Sequence, residues 1–235
     1  MLLIALHGKN YYSIGAYPVL FALGAFHLEQ FTSQKRRYLR YVFVAIIFLI
    51  GVPFVPALLP TASPEKLENY YRTVGFSKTN LTKWEDLNHH PLPQDFSDML
   101  GWEEMAKKMS DAYEKLDSVE KKQTVLFCDN YGQAGAVNFY GKKYHLPEAY
   151  SDNASFLYWL PDTSRVVNLV LLTDDEHEME HPFIKDFSSA IVNDSITNPY
   201  ARERGDLIIT LKGANDAFNQ MFREKIARDK AQFLY

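Results

Sequence analysis

The sequence predicts a soluble α/β domain with a three-layer, Rossmann-like open sheet, preceded by two transmembrane helices. Three stretches carry that expectation. Residues 41–59, YVFVAIIFLIGVPFVPALL, hold no charged side chain over about the length a helix needs to cross a hydrocarbon core. Residues 124–128, TVLFC, form a short apolar strand that runs through a glycine-containing turn into a helical pattern, the opening of an α/β unit. Residues 165–173, RVVNLVLLT, are apolar on both faces, as a strand in the middle of a covered sheet would be.

Taken in order, residues 11–31 read as a membrane helix in which Gly15, Ala16, Ala22, Gly24 and Ala25 let a neighbouring helix approach closely. A basic turn follows, with Lys35, Arg36, Arg37 and Arg40, and then the apolar span of residues 41–59. The excess of cations at that turn assigns it to the cytoplasm and everything after Pro60 to the opposite side. Residues 1–60 thus form a membrane part and residues 61–97 a connector rich in Pro, Asn and Thr. Within it, PEKLENYYRTVG is a short helix opened by Ser63 and stopped by Gly75.

Residues 98–235 then form one α/β domain. A helix is expected over residues 98–116, with Met99, Trp102, Met105, Ala106, Met109, Tyr113 and Leu116 on its buried face. Further strands are expected near 146–150 and over 186–193 and 206–211. An amphipathic helix over 213–232 closes the chain.

Composition narrows the function. The chain has 235 residues, 25 Lys and Arg against 29 Asp and Glu, and a net charge of -4, which gives no reason to expect a nucleic-acid partner. The basic turn is explained by anionic headgroups and topology. Cys128 is the one cysteine, so no intramolecular disulfide forms and the domain rests on its hydrophobic core. The opening MLLIAL lacks the basic region and cleavage site of a signal peptide and reads as the tail of an apolar segment that begins further upstream.

Two segments suit chemistry. Asn130, Tyr131, Gly132 and Gly135 lie in a turn at the carboxyl end of a predicted strand and before a helix, where open α/β sheets bind ligands. A structural turn that uses its glycines for tight packing accounts for the same residues. The spacing is neither a dinucleotide fingerprint nor a phosphate loop. Residues 177–181, HEMEH, place His177, Glu178 and His181 at metalloprotease spacing. That geometry needs a regular helix and a third ligand, whereas Pro182 and the acidic surroundings favour a solvated loop, so no metal site is assigned. At the amino end, Lys9 beside Tyr11, Tyr12 and Tyr17 is placed to contact a lipid-borne phosphate. The same residues also fit an interfacial aromatic belt with a snorkelling lysine. Sequons at Asn80, Asn153 and Asn193 carry no weight.

Residues 7–29, HGKNYYSIGAYPVLFALGAFHLE, the basic turn, and the motifs HPLPQDFSDMLGWEEM and DNYGQAGAVNFYGKKYHLPEAYS together resemble one family. It is the bacterial integral-membrane glycosyltransferases of the protein O-mannosyltransferase and aminoarabinose-transferase type, in the GT-C superfamily. The chain looks like their C-terminal third: last membrane helices and periplasmic domain. The resemblance implies transfer of a sugar from a polyprenyl phosphate at the periplasmic face of a bacterial inner membrane. It gives Lys9, Tyr11, Tyr12 and Tyr17 the lipid phosphate. It places the catalytic carboxylate in an N-terminal membrane half that this sequence lacks, so the chain alone is expected to be inactive. No cofactor is implied, and a divalent cation belongs at most to the intact enzyme. A membrane-anchored periplasmic binding module without catalysis is the alternative.

Overall fold

A computed structural model describes residues 10–33, 36–161 and 165–233. The chain divides into two compact units, one ending at Ser63 and one beginning at Pro64.

In the first unit a 3-10 segment, Asn10–Ala16, leads into helix α1, Tyr17–Phe31, with Pro18 in its first turn, and helix α2 spans Tyr38–Leu58. The turn between them is tied by Arg40, whose Nε donates to Thr32 Oγ1 at 2.9 Å, while Arg36 lies over the Phe31 ring. Within residues 11–31 Pro18 could either kink the helix or begin its regular part, and it begins it. The fixed φ of Pro18 suits the start of an α-helix rather than its interior, and the regular part covers 15 residues, about 22 Å. Among residues described with their side chains, no helix is long and apolar enough to cross a membrane.

The second unit is an α/β domain with a five-stranded mixed sheet. Its strands are β1 (Thr124–Cys128), β2 (Ala149–Tyr150), β3 (Asn168–Thr173), β4 (Ser189–Ser195) and β5 (Leu207–Lys212), in the order β2-β1-β3-β5-β4. β1 runs parallel to both β2 and β3, whereas β5 is antiparallel to β3 and to β4. β3 is buried at every position, which agrees with its apolar reading on both faces. The strand expected near 146–150 shrinks to two residues, and β4 lies at the edge with a bulge at Val192/Asp194.

The remaining helices are α3 (Pro64–Val74), α4 (Gln94–Ser97), α5 (Trp102–Glu114), α6 (Ser118–Lys122), α7 (Tyr131–Tyr140) and α8 (Asp216–Phe233). Side chains alternate across the sheet, so two cores form and the domain has three layers. Leu126, Cys128, Val170, Leu172 and Ile208 pack against Met105 and Met109 of α5 and Ala134 and Val137 of α7. Phe127, Leu169, Leu171, Ile209 and Leu211 pack against Leu157 and against Phe218 and Ile226 of α8. Asn219 anchors α8 by accepting from Val166 N at 2.8 Å and donating to Val166 O at 2.9 Å, a pairing that keeps a wholly buried amide satisfied.

One helix boundary agrees with the sequence reading and another differs. α3 ends where expected, at Gly75, which takes φ +87°. The segment read as a connector belongs to the second unit, where Tyr71, Thr82, Leu92 and Ser97 are buried. The helix expected from Asp98 starts at Trp102, because Gly101 adopts φ +87° and breaks the run; Met99 is therefore exposed rather than on the buried face. A Cβ on Gly101 would stand 2.8 Å from Ala201 Cβ. Gly101→Ala is accordingly expected to destabilise the domain by about 2–3 kcal/mol, since it combines a left-handed backbone with overpacking against a small residue. The denaturant midpoint measures this, and an unchanged midpoint would refute it.

Candidate functional site

The carboxyl ends of β1 and β3 lie side by side. The chain leaves β1 through α7 towards β2, then returns across the opposite face to β3 on the other side of β1. That reversal opens a crevice beyond the strand ends, the usual ligand position in open α/β sheets. Because β5 is antiparallel to β3, its amino end comes to the same edge, where Thr173 pairs with Leu207.

A cleft of about 510 Å³ occupies this edge, lined by Asp98, Trp102, Asn130, Tyr131, Gly132, Asn153, Asp174, Arg202, Glu203 and Asp206. Its floor is built by a capping box. Asn130 Oδ1 accepts from Gln133 N at 2.9 Å and Gln133 Oε1 accepts from Asn130 N at 3.2 Å, which starts α7 at Tyr131. The buried Gln133 also donates through Nε2 to Asp206 Oδ2 at 2.7 Å, joining the start of α7 to the start of β5. Trp102 Nε1 donates to Asp98 O at 2.6 Å, and its ring abuts Gly132, where a Cβ would stand 3.3 Å away. Gly101 against Ala201 holds the next residues of each chain segment, Trp102 and Arg202, at the cleft.

The lining is acidic, with four carboxyls against one arginine. Arg202 pairs with Asp98 at 3.3 Å and Glu85 at 3.6 Å. Burial pushes Glu203 up to about 7, and Asp98 adds to the shift; one Glu203 oxygen is buried without a hydrogen-bond partner. Burial likewise raises Asp206 to about 7 against the lowering effect of the Gln133 hydrogen bond, with Glu203 nearby. Asp129, just behind the cleft, is raised by burial while its carboxylate accepts from Asp174 N at 3.1 Å.

The structure brings Asn130, Tyr131 and Gly132 of the predicted turn together in this cleft. The turn itself is corrected: only Asp129 and Asn130 precede α7, and both glycines lie within the helix. Gly135 faces a separate hollow beside Phe139 and Lys142. Lys9 lies outside the described residues. Tyr11 and Tyr12 belong to the 3-10 segment, and Tyr17 opens α1 half-exposed with its hydroxyl accepting from Ser13 Oγ at 3.2 Å.

HEMEH does not form a helix. Glu178–Glu180 is a 3-10 turn and His181 is extended, as the residue before Pro182 tends to be. His181 Nε2 bonds Asp175 Oδ2 at 2.8 Å, and Glu178 accepts from Thr173 Oγ1 at 3.2 Å. Asp175, Glu178 and His181 gather within 4.8 Å, so the cluster joins only two of the three motif residues and leaves His177 outside, beside Glu176 and Glu180.

Sequence reasoning missed Asp98, Asn153, Asp174, Arg202, Glu203 and Asp206, and took Trp102 for a core residue. Asp206, an acid directly before the apolar run LIITL, was the one legible signal among them. No protein-family model matches the chain, and no curated protein or solved structure matches it either.

Proposed function

We propose that this chain is the C-terminal, membrane-attached part of a glycosyltransferase that uses a polyprenyl-phosphate-linked sugar, with its α/β domain on the periplasmic face of a bacterial inner membrane. One observation carries the reading. The two sequence motifs that most resemble that family in the second unit, around Asp98-Trp102 and Asn130-Gly132, lie far apart in sequence yet line one cleft. Two motifs that meet in space have a shared task more readily than two independent packing roles.

The first unit supports membrane attachment. α2 has 21 residues, about 31 Å of helix, and presents Tyr41, Ile47, Phe48, Leu49 and Leu58 outward. The 3-10 segment and α1 together reach about 36 Å at 2.0 and 1.5 Å per residue. The exposed apolar side chains of α2 suit contact with lipid. In this reading Lys9 and the tyrosines at positions 11, 12 and 17 meet the departing lipid phosphate, and the catalytic carboxylate comes from a membrane half outside this sequence.

The test is donor binding by the full chain in nanodiscs. Polyprenyl phosphate is expected to bind better than a short monoalkyl phosphate of equal charge, and Lys9→Ala to weaken it about tenfold through loss of one charge-assisted contact. Sugar release by the chain alone is expected to be absent. Equal binding of the two phosphates would overturn the reading in favour of an anchored binding module, which the independent core of the second unit supports.

A further inference from the structure

We propose that the cleft at the carboxyl edge of β1 and β3 binds a neutral carbohydrate ring. The lining combines two aromatic side chains, Trp102 and Tyr131, with the planar polar groups of Asn130, Asn153, Asp98, Asp174, Arg202, Glu203 and Asp206. Aromatic rings accept the C–H face of a pyranose, while carboxylates, amides and a guanidinium match its hydroxyls with directed donors and acceptors. The volume, about 510 Å³, holds one or two such rings. Trp102 is held from both sides, by its bond to Asp98 O and by Gly132, so its place in the lining is set before any ligand arrives.

Charge argues for a neutral ligand. Arg202 pairs with Asp98 and is shared with Glu85, and burial raises Glu203 and Asp206 to about 7, so each carries a proton part of the time at neutral pH. Each of these two carboxyls, when protonated, offers a donor as well as acceptors. A phosphate or carboxylate ligand would meet Asp174, Glu203 and Asp206 with only an engaged arginine to hold it. The hollow contains no lysine. An organic cation would find aromatic rings and Asp174, but Asp98 is already held by Arg202, and Glu203 and Asp206 each carry only part of a charge.

The inference does not rest on the transferase reading: donor binding reports on the Lys9 region, and the experiment here reports on the cleft. The full chain is held in a detergent without a sugar headgroup and presented with the methyl glycosides of glucose, mannose and galactose. Saturation-transfer NMR and tryptophan fluorescence detect binding. At least one glycoside is expected to bind in the millimolar range. Tyr131→Ala and Asp174→Asn, both exposed positions that leave the core intact, are each expected to lower its affinity by about tenfold. Trp102→Ala is expected to abolish it. The proposal is overturned if no methyl glycoside binds, if both exposed variants bind unchanged, or if choline or inorganic phosphate binds the cleft in preference.

Discussion

A chain shortened to residues 64–235 is expected to fold and remain in the aqueous phase on detergent partition, whereas the full chain moves into the detergent phase. The two units have separate sets of contacts, and both sheet faces of the second are covered from within it, by α5 and α7 on one side and α8 on the other. The first unit is the reverse. α1 buries none of its residues, and Val44, Ile46, Ile47, Phe48, Leu49 and Ile50 of α2 are all exposed. Burying such side chains is worth about 2 kcal/mol each, so α2 alone favours an apolar phase by more than about 10 kcal/mol. Circular dichroism and a cooperative thermal transition would establish folding of the shortened chain. Aggregation of residues 64–235, or a full chain that stays aqueous, would each contradict the expectation.

What the sequence reveals follows from which forces are local. Apolar periodicity is local, so α8, β1, the central β3 and the buried face of α5 from Met105 to Met109 are all legible. The capping box at Asn130 and Gln133 is also local, and its letters stand three apart, although the glycines at 132 and 135 read as a turn. The cleft is another matter. It depends on β5 running antiparallel to β3, a pairing decided by long-range contacts, which alone brings Glu203 and Asp206 beside Asp98 and Asn130. Trp102 misled for a related reason. Its spacing from Met105 and Met109 fits a core face, but Gly101 starts the helix at Trp102, in the first turn, where a side chain reaches the rim as well as the core. Only the close approach of Gly101 to Ala201 requires that start, and it is invisible without the fold.

The domain is expected to be more stable at about pH 5.5 than at about pH 8, by about 2 kcal/mol, because Glu203 and Asp206 hold protons more tightly folded than unfolded. Their ordinary values are 4.5 and 3.8, and burial in the cleft wall raises both to about 7. Between those limits the folded chain binds more protons, so stability falls as pH rises through the window and levels off above about 7. The full shifts would amount to more than this, but the cleft is open to water and each carboxylate is partly screened there, which reduces the effect. At the acid end Glu104 acts in the opposite sense. Its carboxylate accepts from Thr197 N and Oγ1 and from Asn198 N, and beside Lys108 it is held near 2, so its contribution is present above 4.5 and is lost as pH falls towards 2. Together the two effects place the maximum in mildly acid solution. Asp206→Asn keeps an oxygen for Gln133 Nε2 while removing the ionisation, and is expected to flatten about half of the decline between pH 5.5 and 8. Urea unfolding of the full chain followed by tryptophan fluorescence at a series of pH values measures it. A profile that rises towards pH 8, or one that Asp206→Asn leaves unchanged, would show that these carboxyls ionise freely in the folded chain and that Glu203 and Asp206 add their full charge to the cleft.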